Sequence, residues 1–123
     1  GTGSYGLARA LTHEIGHYLN LKHPWGDNNN PGVSCGDDDV NDTPFTRGST
    51  SCNLNLQYCH PGTIENVQNY MDYSYCSKMF TEGQKTRMIA ALMLSVSINA
   101  YKMAINFFSL NLEKAANAKG KAM

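Results

Sequence analysis

The sequence predicts a mainly α-helical domain with long irregular loops. Helical periodicity appears in two stretches, over about residues 5–19 and from about residue 82 onwards, and the region between them is rich in Asn, Asp, Gly and Pro. At 123 residues the chain is one domain at most, with room for a modest core. Ten basic and ten acidic residues cancel, and no basic run indicates a nucleic-acid-binding surface.

The first predicted helix carries two histidines at helical spacing. His13 and His17 are four residues apart, so their imidazoles project from one face and can bind the same metal ion. Glu14 follows the first histidine, where a carboxylate can reach a water on that metal. This pattern predicts a metal site on the helix at about 5–19.

A third histidine, His23, follows His17 by six residues. A continuing helix would carry it about 9 Å further along the axis, at about 1.5 Å per residue. Because a zinc–nitrogen bond is only about 2.0–2.1 Å long, we expect the chain to turn sharply after Leu19. Asn20 suits that turn, since asparagine is the residue after glycine that best tolerates the left-handed backbone.

The stretch HEIGHYLNLKH, residues 13–23, resembles the metzincin zinc-peptidase motif HExxHxxGxxH, with Asn20 in place of its glycine. Asn-Tyr-Met-Asp-Tyr at 69–73 resembles the metzincin Met-turn, and residues 35–44 and 80–84 are similar to the pappalysin branch. The resemblance covers roughly residues 4–94. It implies the C-terminal, zinc-binding half of a zincin or metzincin-type catalytic domain whose parent fold is α+β. Only twelve residues precede His13, so we expect the upstream β-rich subdomain to be absent from this chain.

The resemblance implies a zinc-dependent endopeptidase that hydrolyses peptide bonds in proteins, with protein or peptide substrates as its partners. The three histidines would bind zinc and leave one coordination position open, as in catalytic sites. Glu14 would act as the general base on zinc-bound water. Tyr73 would assist catalysis as a mobile phenol, and Met71 would form the hydrophobic floor beneath the histidines.

A non-enzymatic alternative stays open, in which the chain is an inactive fragment or a zinc- and disulfide-stabilised protein-binding module. The absent half ordinarily holds the substrate as an extended strand. Glu14 distinguishes the two interpretations, because a structural zinc site has no use for a carboxylate there and needs a fourth protein ligand. The sequence offers no obvious fourth ligand, and His60 lacks metal-ligand spacing, which is typical of an ordinary loop histidine.

The chain has four cysteines and no CxxC pair. An even number in a loop-rich segment favours disulfides and a secreted, extracellular or periplasmic protein, while a second zinc site is the weaker alternative. Sequence alone allows three pairings. The pappalysin resemblance implies that the first pairs with the third and the second with the fourth, giving Cys35–Cys59 and Cys52–Cys76.

The stretch 36–43 holds four aspartates, three of them consecutive. A solvated acidic loop would explain them, but four close carboxylates repel one another unless a cation is bound. Ca²⁺ takes about 6–8 oxygen ligands. The pappalysin resemblance implies structural calcium in this region and, by position, the ligands Asp38, Asp42 and Thr43.

The C-terminal part begins with a predicted capping box at residues 81–84, where Thr81 and Gln84 would bond reciprocally. The resemblance fades near residue 95, and we treat 1–94 as the zinc-binding half, with its disulfide and calcium loops at 24–80, and 95–123 as a divergent amphipathic helical segment with a polar tail. A helix near 99–116, continuous or kinked with the one before it, has two adjacent apolar stripes. We expect self-association or a partner through this helix, and no membrane span, because Lys102 interrupts the apolar residues.

Overall fold

A computed structural model describes residues 4–122 of the chain and shows a mainly helical architecture. Helix α1 spans Ser4–Tyr18 and helix α2 spans Glu82–Ala122. Within the described residues no strand forms, and extended pairing is limited to three isolated bridges: His23–Gly26, Gly36–Thr46 and Asn69–Met79. The predicted mainly α class is thereby confirmed. The chain divides into two compact units, Gly1–Ala90 and Ala91–Met123.

Helix α1 ends in a left-handed turn at Asn20, whose φ is 70°. The Asn20 N–H donates to the His17 carbonyl (3.0 Å) and the Leu21 N–H donates to the Gly16 carbonyl (2.9 Å). These two bonds form a Schellman motif, which satisfies the last carbonyls of the helix and reverses the chain. The turn predicted at Asn20 is therefore confirmed. Arg87 of α2 fixes it further, because its Nε donates to the Asn20 carbonyl (2.7 Å).

Among the residues of the first unit whose burial is described, more polar than apolar side chains are buried. The buried hydrophobic residues are Leu21, Trp25, Val40, Val67 and Met71. The buried polar residues are His13, His23, Asp38, Thr43, Thr46, Glu65, Asn69, Asp72, Ser74, Ser77, Thr81 and Gln84. Because so little apolar surface is buried, hydrogen bonds and covalent cross-links carry an unusual share of the folding free energy.

Two interleaved disulfides close the long loop between the helices. The structure joins Cys35 to Cys59 and Cys52 to Cys76, and each bridge spans 24 residues of sequence. Together they leave none of the described cysteines free for a metal. A disulfide of this kind typically contributes about 2–4 kcal/mol to stability.

The N-terminus of α2 is joined to the turn that contains Met71. The Gln84 N–H donates to Thr81 Oγ1 (3.1 Å) and the Thr81 N–H donates to Gln84 Oε1 (2.9 Å), which confirms the predicted capping box. The fully buried Gln84 amide also pairs with the Asn69 amide through two bonds of 2.7 and 3.1 Å. Asn69 Oδ1 in turn accepts the Met71 N–H (2.9 Å). One hydrogen-bond network thus positions both the helix and the methionine turn.

The second unit consists of the C-terminal part of α2, which runs without interruption through the segment 99–116 to Ala122. Every side chain from 92 to 118 is exposed, including large apolar ones such as Met103 and Phe107. The two apolar stripes predicted from the sequence are therefore not covered by other described residues. Self-association through this helix stays a prediction.

One helical segment, Glu82–Ala118, is long and apolar enough by length and composition to cross a membrane. Its most apolar 18-residue window has a mean hydropathy of 1.5, and none of that window is buried. The expectation of no membrane span, based on Lys102 interrupting the apolar residues, stays a prediction. Length and composition do not by themselves distinguish a membrane span from the core helix of a soluble protein.

Candidate metal centre

The three histidines of the HEIGHYLNLKH stretch converge on one point. The Nε2 atoms of His13 and His17 are 3.1 Å apart, those of His17 and His23 are 3.1 Å apart, and those of His13 and His23 are 3.3 Å apart. Three nitrogens bound tetrahedrally to one zinc ion, with bonds of about 2.0–2.1 Å, lie about 3.3 Å from each other. The triangle therefore has the dimensions of a three-histidine zinc site.

The other ring nitrogen of each histidine bonds to a backbone carbonyl. His13 Nδ1 lies 2.7 Å from the Tyr70 carbonyl, and His17 Nδ1 lies 2.8 Å from the Leu21 carbonyl. His23 Nδ1 lies 3.0 Å from the Asn28 carbonyl. A carbonyl can only accept, so each neutral ring carries its proton on Nδ1 and presents a lone pair at Nε2. Three lone pairs that face one another without a proton between them repel, and a cation at their centre removes that repulsion.

The electrostatic environment keeps two of the rings neutral. Burial lowers the pKa of His13, and burial, followed by the proximity of His17, lowers the pKa of His23 to about 4. Both imidazoles are therefore neutral at pH 7, which is the form that binds a metal.

Trp25 fixes the orientation of His23, and nothing in the sequence motif indicated this role. The two rings stack with centroids 4.6 Å apart and planes 4° apart. The indole Nε1 donates to the Asn28 carbonyl (2.9 Å), the same oxygen that accepts from His23. The third histidine comes from a loop rather than a helix, so the stacked indole replaces the rigidity that α1 gives to the other two.

The residues predicted to act in catalysis lie beside the histidine cluster. Glu14 is exposed, and it lines a cavity together with His13 and Tyr73. The Tyr73 ring centroid is 5.5 Å from that of His13 and 4.9 Å from that of His23. Partial burial and, secondly, the nearby Glu14 carboxylate raise the pKa of the Tyr73 phenol, so it stays protonated at neutral pH.

Met71 is completely buried and packs against α1 at the glycine of the HEIGH motif. A Cβ placed on Gly16 would overlap the Met71 sulfur. The glycine between the two ligand histidines is thus explained by the close approach of the methionine turn.

Two of the three predicted calcium ligands are in contact with each other. The Thr43 hydroxyl contacts Asp38 Oδ1 and also lies 2.7 Å from the Val40 carbonyl. Asp42 instead accepts the N–H of Gly83 at the start of α2 (2.9 Å), and no hydrogen bond in the described chain joins it to Asp38 or Thr43. The structure therefore groups Asp38 with Thr43 and places the Asp42 carboxylate at the N-terminus of a helix.

The fourth histidine does not join the metal cluster. His60 is exposed, and its ring lies 5.3 Å from that of Phe45. Among the described residues, only the other three histidines form a group with the spacing of metal ligands.

Comparison with known proteins identifies the family to which this chain belongs. The family model Peptidase_M43, described as pregnancy-associated plasma protein-A, matches residues 3–93. The chain belongs to this pappalysin-like family of metzincin zinc peptidases, as its motifs indicated. The family implies zinc as the metal of the three-histidine cluster.

Individual relatives are secreted fungal enzymes by name. An extracellular metalloprotease of Arthroderma otae is 40% identical over 94 residues, 73% of this chain and 33% of that protein. Extracellular metalloprotease 1 of Coccidioides posadasii is 40% identical over 92 residues, 72% of this chain and 32% of that protein. The chain spans about a third of the length of these curated relatives.

A solved structure is also similar. Mature mirolysin of Tannerella forsythia, in complex with a cleaved peptide, aligns with a TM-score of 0.55 and 39% identity. The alignment covers 65% of this chain and 31% of that one.

The metal centre leads to a direct prediction. We expect the chain to bind one zinc ion. His17→Ala should weaken zinc affinity by more than about 100-fold, because loss of a metal ligand reduces the affinity more than loss of a residue that only hydrogen-bonds to a ligand. His60→Ala is the matched control and should bind zinc like the wild type. Metal analysis after dialysis against a competing chelator measures both, and stoichiometric zinc in His17→Ala would refute the assignment.

Proposed function

We propose that this chain forms the zinc-binding part of a secreted endopeptidase that hydrolyses peptide bonds in proteins. The observation that carries the proposal is the convergence of three Nε2 lone pairs beside an exposed glutamate. Within the described residues the cluster has no fourth His, Cys, Asp or Glu ligand. A site with three protein ligands and one open position is the arrangement of catalytic rather than structural zinc.

Glu14 would be the general base of the reaction. Bound zinc would supply a water of lowered pKa, about 7 instead of about 15.7, and would polarise the scissile carbonyl. The Glu14 carboxylate would accept the proton of the attacking water and deliver it to the departing amide nitrogen. Glu14 is exposed and lines the cavity, which leaves its carboxylate free to reach both.

Tyr73 would assist at the carbonyl oxygen. Its hydroxyl lies 3.4 Å from Asn29 Oδ1, a long and weak contact at an exposed position. A phenol with a raised pKa keeps its proton and can donate a hydrogen bond to the oxygen that gains negative charge. The weak contact with Asn29 would let the ring move toward a bound substrate.

The alternative is non-enzymatic: an inactive fragment, or a protein-binding module stabilised by the same zinc site. A purely structural zinc site would gain nothing from an exposed Glu14. The endopeptidase and the non-enzymatic interpretation therefore differ in whether the zinc-loaded chain cleaves a peptide.

Secretion follows from the same comparisons and from the cross-links. The fungal relatives are named extracellular enzymes, and two disulfides in a small unit are typical of an oxidising compartment. The physiological substrates would accordingly be proteins outside the cell.

Replacing Glu14 tests the proposed chemistry. We expect Glu14→Gln to keep stoichiometric zinc and to lose about 10²–10⁴-fold in the rate of cleavage of a fluorogenic peptide, since only proton transfer is removed. The exposed Glu113 provides a matched control, and Glu113→Gln should cleave at the wild-type rate. Undiminished cleavage by Glu14→Gln would exclude Glu14 as the base, and no cleavage by the zinc-loaded wild-type chain would favour the binding module.

We also propose that Asp38 and Thr43 bind a structural calcium ion, with Asp42 as a further ligand by position. Asp38 is buried, and its Oδ2 has no hydrogen-bond partner. The Thr43 hydroxyl has one proton for two neighbouring oxygens, Asp38 Oδ1 and the Val40 carbonyl. A carboxylate, a hydroxyl and a carbonyl are the oxygen ligands that Ca²⁺ prefers.

The calcium proposal predicts that the Asp38 carboxylate stabilises the fold at neutral pH only when calcium is bound. Burial raises the pKa of Asp38, so in chelator its contribution to stability is present at acidic pH and is lost as the pH rises through that raised pKa. Asp38→Asn should therefore not destabilise the chelated chain at neutral pH. Calcium at about 100 times its Kd should stabilise the wild type by about 2.7 kcal/mol and leave Asp38→Asn unchanged.

Thermal melts with and without calcium provide the measurement. Asp37→Asn, which removes a neighbouring exposed carboxylate, is the control and should keep the calcium effect. A wild-type melting temperature that does not respond to calcium would contradict the site.

A further inference from the structure

A cavity of about 340 Å³ opens directly beside the metal centre. His13 and Glu14 line it, together with Tyr75 and Ser77. All of these residues belong to the first unit. Because the cavity is lined by the proposed base and is large enough to hold a side chain, a substrate residue next to the scissile bond is its natural occupant.

Among the described residues that line this cavity, Arg9 is the only cationic one. It lies four residues before His13 on α1 and therefore on the same helix face. Its Nε donates to the buried Ser77 carbonyl (3.1 Å), which fixes the plane of the guanidinium. A guanidinium has five N–H donors, so four remain on the two terminal nitrogens.

No described carboxylate neutralises Arg9. The ion pairs of the described chain involve Lys22 and Lys85, and none includes this guanidinium. The buried Asp72, which also lines the cavity, is satisfied differently, because its Oδ1 accepts the N–H groups of Ser49 (2.9 Å) and Tyr73 (2.7 Å). The cavity thus contains a fixed, unpaired cation whose terminal nitrogens match the two oxygens of a carboxylate.

We propose that Arg9 is a specificity-determining residue that binds the carboxylate of an aspartate or glutamate side chain next to the scissile bond. This inference rests on the proposed peptidase function and adds the chemical class of its preferred substrates. Arg9 itself takes no part in bond cleavage.

Binding of substrate-like inhibitors tests the proposal without requiring turnover. Three peptide hydroxamates share one backbone and carry Glu, Gln or Lys next to the zinc-binding group. Calorimetry gives their Kd values for the full 123-residue chain loaded with zinc. We expect the Glu compound to bind at least about 10-fold more tightly than the Gln compound. Only its carboxylate can form a bidentate ion pair with the Arg9 guanidinium.

Variants of Arg9 assign the preference to that side chain. Arg9→Gln should abolish the difference between the Kd values of the Glu and Gln compounds, and binding of both compounds to the zinc-loaded variant shows that it is folded. Arg9→Lys keeps the positive charge but lacks the paired N–H donors of a guanidinium, so it should retain part of the preference for the Glu compound. Arg47→Gln is the matched control, since Arg47 lies over the Tyr58 ring (3.4 Å) and lines no part of the cavity.

The possible results distinguish failure of the role of Arg9 from failure of the proposed peptidase function. Equal binding of the Glu and Gln compounds to the wild type would overturn the role of Arg9 and leave the peptidase proposal intact. Tighter binding of the Lys compound would also overturn it and assign selection to Asp72. Failure of every hydroxamate to bind the zinc-loaded chain would overturn the proposed function and this inference with it.

Discussion

The structure depends on one electrostatic constraint, the approach of three imidazole Nε2 atoms to within 3.3 Å of one another. Backbone carbonyls hold the proton of each ring on the opposite nitrogen, so the lone pairs face inward. Without a cation this arrangement is repulsive, and with zinc bound its free energy of binding adds to the stability of the fold. Metal binding and folding are therefore expected to be coupled in this domain.

The loops of the first unit supply the geometry that this constraint requires. Asn20 reverses the chain so that the third histidine returns to the helix, and Trp25 holds that histidine by stacking. Below α1, Met71 fits against Gly16 and is positioned by the hydrogen-bond network that begins at Gln84. With few buried apolar side chains, disulfides and polar networks take over the role that a larger hydrophobic core has in other domains.

The features that the sequence predicted well are local in the chain. The turn at Asn20 and the capping box of Gln84 each depend on residues within a few positions, so spacing and backbone preference identify them. The pairing of Gln84 with Asn69 and the stacking of Trp25 on His23 carry no such pattern, because loops without periodicity bring those partners together. Likewise, the apolar stripes of the second unit indicate which faces of the helix are hydrophobic and not what covers them.

X-ray absorption at the zinc edge of the metal-loaded chain tests the central claim most directly. The account predicts a first shell of nitrogen and oxygen at about 2.0–2.1 Å, with the outer-shell scattering of three imidazole rings and no sulfur. That pattern would establish three histidine ligands and an open position for a water. Sulfur scattering at about 2.3 Å, or fewer than three imidazoles, would contradict it and locate the zinc elsewhere in the chain.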